Sequence, residues 1–225
     1  VLLDGSLGPL KDALIIGQRL VNGALGTLKL SLSQALAFAL MLALMPLVDM
    51  GQSPIRVAHA GMLALFTIGL PNVVLSAWSA AGRLTESEIR DRLLRFALPI
   101  GATLAVMAVG LYVAYRPAQR SYAQMVVAYA FLGAGWLRVL FLLPPNRFWA
   151  GASPVRGDPR VLKTVLVVAG VFLIFLSVPF LAGLYDLTWL TLRDYAVVAG
   201  VVTGWALLLL AVWRFVWRPA STDSA

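Results

Sequence analysis

The sequence has no cysteine, one histidine and few charged residues. Without cysteine there is no disulfide framework, no thiolate metal site and no cysteine nucleophile. Charged residues make up 12% of the 225 positions, whereas a soluble domain of this size carries roughly 25%. Because 60% of the residues are hydrophobic, the composition predicts a polytopic membrane protein.

The chain contains long apolar runs. Six of them are long enough to cross a hydrocarbon core of about 30 Å as helices. They are Leu30–Val48, Val57–Ala80, Phe96–Tyr115, Tyr122–Leu143, Val161–Leu184 and Tyr195–Phe215. The connectors between them are too short for a separate folded domain. The sequence therefore predicts an all-α bundle of six transmembrane helices.

The net charge of +8 is a basic excess that could indicate a nucleic-acid partner, but the Lys and Arg residues sort by connector instead. Thirteen fall on the side of the N-terminal segment and four on the other, with Arg138 inside a span left uncounted. Cytoplasmic loops carry the excess of Lys and Arg, so we expect both termini in the cytoplasm and no nucleic-acid partner. Because the chain begins with Val1 and shows no signal peptide, we expect it to start inside a longer protein.

Ionisable residues are scarce inside the predicted spans. No Asp, Glu, Lys or His lies at the centre of one, so a proton relay of buried carboxylates is not expected. Asp186 and Asp194 fall at span ends, where we expect them to be solvated. His59 lacks the partners of a metal site and is expected at the surface or in packing. Arg138 is the one full charge within a span; we expect it to snorkel to an interface along its methylene stem, with a functional role as the alternative.

The first span carries a polar face into the bilayer. Thr27, Ser31 and Gln34 stand at positions i, i+4 and i+7, which share one side of a helix. Ser33 lies beside them. Such a helix, charged before the membrane and polar just inside it, is typical of a link between a soluble part and a membrane part.

The second span contains a helix-breaking sequence flanked by Thr67 and Asn72. Pro71 cannot donate a hydrogen bond to the carbonyl of Thr67, and Gly69 lowers the cost of unwinding. In a bilayer, freed carbonyls must find another helix, water or an ion, so broken helices line cavities. The sequence predicts such a cavity here, and the alternative is an ordinary proline kink.

Other prolines and glycines indicate packing rather than chemistry. Three prolines have no comparable polar neighbours deep in a span, and we expect plain kinks or helix ends at Pro46, Pro99 and Pro179. Gly200 and Gly204 form a small-xxx-small pair, which suits close contact between helices, and we expect close packing at Gly133 and Gly135 as well.

Four segments resemble cation-transporting P-type ATPases. Val1–Asp4, followed by Gly17–Asn22, is similar to the passage that joins the phosphorylation domain of that family to its fifth membrane helix. Ser31–Gln34 resembles the polar Ser-Ser-Asn-like turn of the fifth helix, and Thr67–Pro71 resembles the Thr-Asp-Gly-x-Pro-like turn of the sixth. Six helices with cytoplasmic ends agree with the fifth-to-tenth helix block of such pumps.

The chain also departs from that family. Ile68 stands where many cation pumps have the sixth-helix acid, and Ala37 stands where a fifth-helix carboxylate is expected. The substrate-facing residues that the resemblance implies are all neutral, and neutral ligands hold a hard cation less strongly than carboxylates do. They are Ser31, Ser33, Gln34, Thr67 and Asn72, with Gly69 and Pro71 setting the helix break.

The resemblance also implies an organisation and a function. Residues 1–24 would be the end of the phosphorylation domain and a stalk helix, residues 25–218 the membrane domain and residues 219–225 a cytoplasmic tail. The chain has no D-K-T-G-T phosphorylation motif and no nucleotide-binding domain, so no cofactor is expected in it, and ATP and Mg²⁺ are implied for the full-length pump alone.

The implied function is transport of a cation across the plasma membrane, driven by ATP hydrolysis in a soluble part that is absent here. The implied partners are the lipid bilayer and the missing N-terminal membrane helices and soluble domains of the same protein. The alternative is a stand-alone six-span permease or a membrane scaffold subunit that transports nothing.

Overall fold

A computed structural model describes residues 8–48, 53–76, 86–117, 119–142 and 159–216. Val1–Asp4, which carries part of the family resemblance, lies outside them. The described ranges are mostly helical, with short connectors such as 53–56 and 185–191, and contain no strand. In chain order the elements are α1 (Gly8–Val48), α2 (Val57–Ala64), a π-helical turn (Leu65–Gly69), α3 (Leu70–Ser76), α4 (Glu86–Tyr115), α5 (Arg120–Leu142), α6 (Pro159–Ser177), α7 (Pro179–Leu184) and α8 (Leu192–Val216).

Five stretches of the described helices are long and apolar enough to cross a membrane. They are Ala13–Val48, Val57–Val74, Ser87–Tyr115, Arg120–Leu142 and Leu192–Arg214. A shorter apolar helix covers Val161–Ser177. The predicted all-α membrane bundle is confirmed, and the chain is a multi-pass membrane protein.

The fifth predicted span, Val161–Leu184, is two helices rather than one. The break falls at Val178, whose backbone is extended with φ −93° and ψ 110°. Pro179 is the first residue of α7, and a residue that precedes proline is pushed out of the helical region by steric clash. The prediction of a plain helix end at Pro179 is therefore confirmed, whereas Pro46 and Pro99 lie within continuous helices.

The α1 helix is the longest element, with 41 residues, or about 60 Å at 1.5 Å per residue. It packs against α3, α4, α5 and the π-helical turn. Its inward stripe follows the helical period and is at most 2% exposed at Leu30, Ala37, Met41 and Met45. Leucines such as Leu42 on the other side are exposed, as expected for a surface in contact with lipid.

The α5 helix lies at the centre of the bundle. It is the most buried of the five spans and packs against α1, α2, α4, α6, α8 and the π-helical turn. Gly135 permits one of these approaches, because a Cβ atom there would lie 2.3 Å from Cγ2 of Thr67. A Cβ atom on Gly133 would meet Val202 at 3.6 Å. Close packing at this glycine pair is confirmed.

The other glycine pair behaves differently. Gly200 and Gly204 are exposed on α8, and a Cβ atom on either would meet no described atom within 4 Å. The predicted close packing of these two glycines is wrong for the described part of the chain, because this side of α8 faces outward.

The second span remains helical through its predicted break. At Leu65–Gly69 the helix widens into a π-helical turn, and the amide of Leu70 donates to the carbonyl of Leu65, five residues earlier. Pro71 follows as the second residue of α3. Proline has no amide proton for the carbonyl four residues before it. The hydrogen-bond register of the helix therefore shifts by one residue just before Pro71.

Candidate functional site

The polar centre of the bundle forms around Arg138 of α5, whose side chain is 0% exposed. Its Nη1 donates to Oγ of Ser33 at 3.2 Å. Its Nη2 donates to Oε1 of Gln34 at 2.9 Å and to Oγ1 of Thr67 at 3.4 Å. The expectation that Arg138 snorkels to an interface is wrong, because its guanidinium points into the junction of α1, α5 and the π-helical turn. We call these four residues the Arg138 cluster.

Gln34 and Thr67 also bond to each other within the cluster. Oγ1 of Thr67 lies 2.8 Å from Oε1 of Gln34 and 2.7 Å from the carbonyl oxygen of Leu63. A hydroxyl has a single proton, so Thr67 donates to one of these oxygens at a time. The guanidinium has donors but no acceptor, which requires that the Gln34 oxygen, rather than its amino group, faces Arg138.

The charge of Arg138 has no opposite charge nearby in the described part of the chain. No described carboxylate lies within 4.0 Å of the guanidinium, and its Nε has no hydrogen-bond partner. Arginine stays protonated in proteins, and removing an ion from water is costly unless other groups compensate. Here the compensation comes from the neutral oxygens of Ser33, Gln34 and Thr67.

Glycine makes the close geometry of the cluster possible. Gly135 lies one helical turn before Arg138, and its missing side chain leaves room for Thr67. A Cβ atom on Gly135 would also lie 3.4 Å from Nη2 of Arg138. Ser33 is tied to its own helix, because its hydroxyl donates to the carbonyl of Leu30 at 2.9 Å. The α1 and α5 sides of the cluster are thus both fixed by local contacts.

The structure brings some of the predicted site residues together and leaves others apart. Ser33, Gln34 and Thr67 meet at Arg138. Asn72 instead accepts a hydrogen bond from the hydroxyl of Thr27 on α1. Ser31 is half-buried on α1, outside the cluster. Gly69 ends the π-helical turn, and Pro71 is buried two residues later.

Sequence reasoning missed the role of Arg138. The available signal was that it is the one full charge within a predicted span, since an ionisable residue at that depth marks a functional site by default. Its place four residues before the end of α5 favoured snorkelling. In the structure, α1 and the π-helical turn pack over the side chain and separate it from the membrane interface.

A second polar cluster surrounds Asp194 in the first turn of α8. The hydroxyl of Tyr115 donates to Oδ1 of Asp194 at 2.8 Å, and the hydroxyl of Tyr122 donates to Oδ2. Thr191 donates to Oδ2 at 2.5 Å and accepts from the Asp194 amide at 3.2 Å. The bond from the Asp194 amide is an N-cap bond, because Thr191 directly precedes the first residue of α8 and satisfies a free amide of its first turn. These four residues are the Asp194 cluster.

The same end of the bundle holds an exposed ion pair. Nη1 of Arg56 lies 2.7 Å from Oδ2 of Asp186, and the side chains are 38% and 58% exposed. Nε of Arg56 donates to Gln124 at 3.2 Å, and Gln124 donates to the carbonyl of Ser53 at 2.7 Å. The connectors before α2 and α8 are thereby tied to the start of α5. The prediction that Asp186 is solvated is confirmed.

Metal-binding side chains are not grouped in the described residues. No set of three or more His, Cys, Asp or Glu lies together there. His59 is 1% exposed, and neither of its ring nitrogens has a hydrogen-bond partner. It is a packing histidine of α2, as one of the two sequence-based alternatives proposed.

Comparison with protein families and with curated proteins gives no match. No protein-family model matches the chain, and no curated protein is similar to it in sequence. The function is therefore inferred from the residues and their geometry.

Proposed function

We propose that the chain is the C-terminal membrane part of a P-type ATPase, a pump that couples ATP hydrolysis to the transport of a cation. ATP and Mg²⁺ would bind to a soluble part of the same protein that this chain lacks. The Arg138 cluster would lie at the transport site, and α1 would connect that site to the soluble part. The cation is the substrate that the family resemblance implies.

The observation that carries this proposal is the contact between Gln34 and Thr67. These residues are 33 positions apart in the chain, and their side-chain oxygens are 2.8 Å apart. The resemblance assigns them to the polar turns of the fifth and sixth pump helices, which face each other at the transport site. A scaffold subunit has no need for these two polar turns to meet.

The dimensions of α1 support a mechanical role. At about 60 Å, the helix is about twice as long as a hydrocarbon core of about 30 Å is thick. It is continuous from Gly8 to Val48, so a tilt of its outer part would be transmitted to Ser33 and Gln34. The π-helical turn packs against α1, and a change of its hydrogen-bond register would let Thr67 follow the movement of Gln34. Such turns are often found at functional sites.

The distribution of Lys and Arg supports an orientation with both termini in the cytoplasm, and the plasma membrane is the location that goes with the proposed pump. This chain has no cysteine, so single cysteines introduced into it can be used for a labelling test in the complete protein. A cysteine at Arg120, which is exposed at the start of α5, should react with an impermeant maleimide in intact cells. A cysteine at Ser6 should react only after permeabilisation, and the reverse pattern would contradict this orientation. The unmodified protein gives the background.

The pump itself is tested with the complete protein in membranes, by ATP hydrolysis and by formation of an acid-stable phosphoenzyme. Thr67→Val keeps the shape of the side chain and removes its hydroxyl, so hydrolysis should fall roughly tenfold or more. Thr203→Val is the matched control, because Thr203 is exposed on α8, and hydrolysis should not change. A complete protein that forms no phosphoenzyme would overturn the proposal in favour of a permease or a scaffold.

A further inference from the structure

We propose that Lys29 and Arg92 bind the phosphate group of an anionic lipid at the end of the bundle where the apolar runs of α1 and α4 begin. Lys29 lies directly before the apolar run of α1, and Arg92 lies one helical turn before Phe96, where the apolar run of α4 begins. The site is separate from the Arg138 cluster and does not depend on the proposed function.

Lys29 is a buried cation that lacks an opposite charge among the described residues. Its side chain is 8% exposed, and its Nζ lies 5.7 Å from the centre of the Phe96 ring. No described carboxylate lies within 4.0 Å of Nζ. The ring face attracts a cation, but this contact is weaker than the cost of removing an ammonium group from water. An anion beside Nζ would supply the missing charge.

Arg92 places a second positive charge near Lys29. It stands four residues before Phe96 on α4, so these two side chains share one face of that helix, and its charge repels the Lys29 ammonium. The ion pair of Arg92 with Glu88 is long, at 3.9 Å, and both side chains are about half exposed. Exposed pairs of this kind contribute little to stability, so Arg92 can also contact an anion that binds to Lys29. A phosphate between the two cations would replace one repulsion by two attractions.

The aromatic ring beside Lys29 is held in place by α5 and α8. The Phe96 ring stacks on Trp213, with ring centroids 6.1 Å apart, and Nε1 of Trp213 donates to the carbonyl of Arg95 at 3.1 Å. The Trp213 ring also packs edge-on against Phe141 of α5, with centroids 5.9 Å apart. Contacts from four helices therefore position the Lys29 ammonium, and the site is formed before a ligand binds.

The position of the two cations favours a lipid as the source of the phosphate. Side chains on a helix tilt toward its N-terminus, so the long stem of Lys29 directs its ammonium back toward the level of the headgroups. Exposed leucines continue each helix into the apolar region, Leu32 on α1 and Leu98 on α4. Acyl chains can lie against these leucines while the headgroup contacts the cations. Basic groups between membrane helices are known to bind anionic headgroups in this way.

The test is lipid binding by the purified complete protein in detergent, measured by native mass spectrometry. Phosphatidylglycerol is the anionic probe and phosphatidylcholine the reference without net charge. We expect the wild-type protein to prefer phosphatidylglycerol, and we expect its affinity to fall about fivefold or more in Lys29→Gln and in Arg92→Gln, because each removes one basic contact to the headgroup. Lys163→Gln is the matched control, since Lys163 is an exposed lysine near the start of α6, and its affinity should not change.

Three results would overturn the inference. The first is equal binding of the two lipids by the wild-type protein. The second is a loss in Lys163→Gln as large as that in the two site variants, which would show that only the overall surface charge matters. The third is binding of inorganic phosphate that matches the binding of phosphatidylglycerol and is lost in the same two variants, which would assign the site to a free anion. Because Arg92 is exposed, Arg92→Gln provides the test if Lys29→Gln does not fold.

None of these measurements involves ATP hydrolysis. A complete protein that forms no phosphoenzyme would refute the pump and leave the lipid site intact. Equal binding of the two lipids would refute the lipid site and leave the pump intact.

Discussion

Two clusters of the bundle each hold one charged side chain with neutral partners, but at different depths. Arg138 is 0% exposed and donates to residues of α1 and the π-helical turn, whereas Asp194 is half-buried at the start of α8 and accepts from hydroxyls. Water can replace a lost partner of Asp194, but it cannot reach Arg138. The cost of losing a hydrogen-bond partner should therefore be much larger at Arg138.

The largest effect is expected when Gln34 is replaced by leucine. Arg138 would keep its charge but lose its shortest hydrogen bond, and removing a partner of a buried charged group costs more than the loss of about 1–3 kcal/mol for a neutral group. Unfolding of the complete protein in a denaturing detergent series should show this loss.

A double-mutant cycle separates the charge from the packing. In Gln34→Leu with Arg138→Met, the charge and its acceptor disappear together, so much of the lost stability should return. If the double variant is as unstable as the sum of the two single variants, Gln34 does not stabilise the charge of Arg138.

The next effect concerns how closely the two helices approach at the Arg138 cluster. Gly135→Ala would place a Cβ atom 2.3 Å from Cγ2 of Thr67, and overpacking of this kind costs about 1–3 kcal/mol. Gly200→Ala is the matched control, because no described atom lies within 4 Å of the added Cβ and alanine favours a helix. The unfolding series should show loss for the first and no loss for the second. Equal effects would mean that the approach of Thr67 to Gly135 is not tight.

The glycine pairs Gly133/Gly135 and Gly200/Gly204 show which features of the fold can be predicted from the sequence and which cannot. Close packing was expected at both pairs, yet Gly135 packs and Gly200 is exposed. The bundle itself could be predicted, because long apolar runs can only be satisfied as helices in a membrane. Which side of each helix faces inward depends on contacts between segments that are far apart in the chain.

The Arg138 cluster was predictable in part for the same reason. Gln34 and Thr67 could be singled out because polar residues are costly in apolar helices, and the break near Pro71 follows from local backbone chemistry. Arg138 is 104 residues away from Gln34, and their contact depends on the rotation of α5. No local pattern encodes that rotation, so snorkelling was the wrong expectation.

The smallest effect is expected at the Asp194 cluster. Asp194→Asn keeps an oxygen that can accept from Tyr115 and Tyr122, and it loses the negative charge in the first turn of α8. A charge at that place is worth about 0.3–1 kcal/mol, and water can hydrate the amide. The unfolding series should therefore show a loss near 1 kcal/mol or less. A loss as large as that of Gln34→Leu would mean that depth does not separate the two clusters, because the tyrosine hydroxyls would then stabilise the Asp194 charge as tightly as the interior holds Arg138.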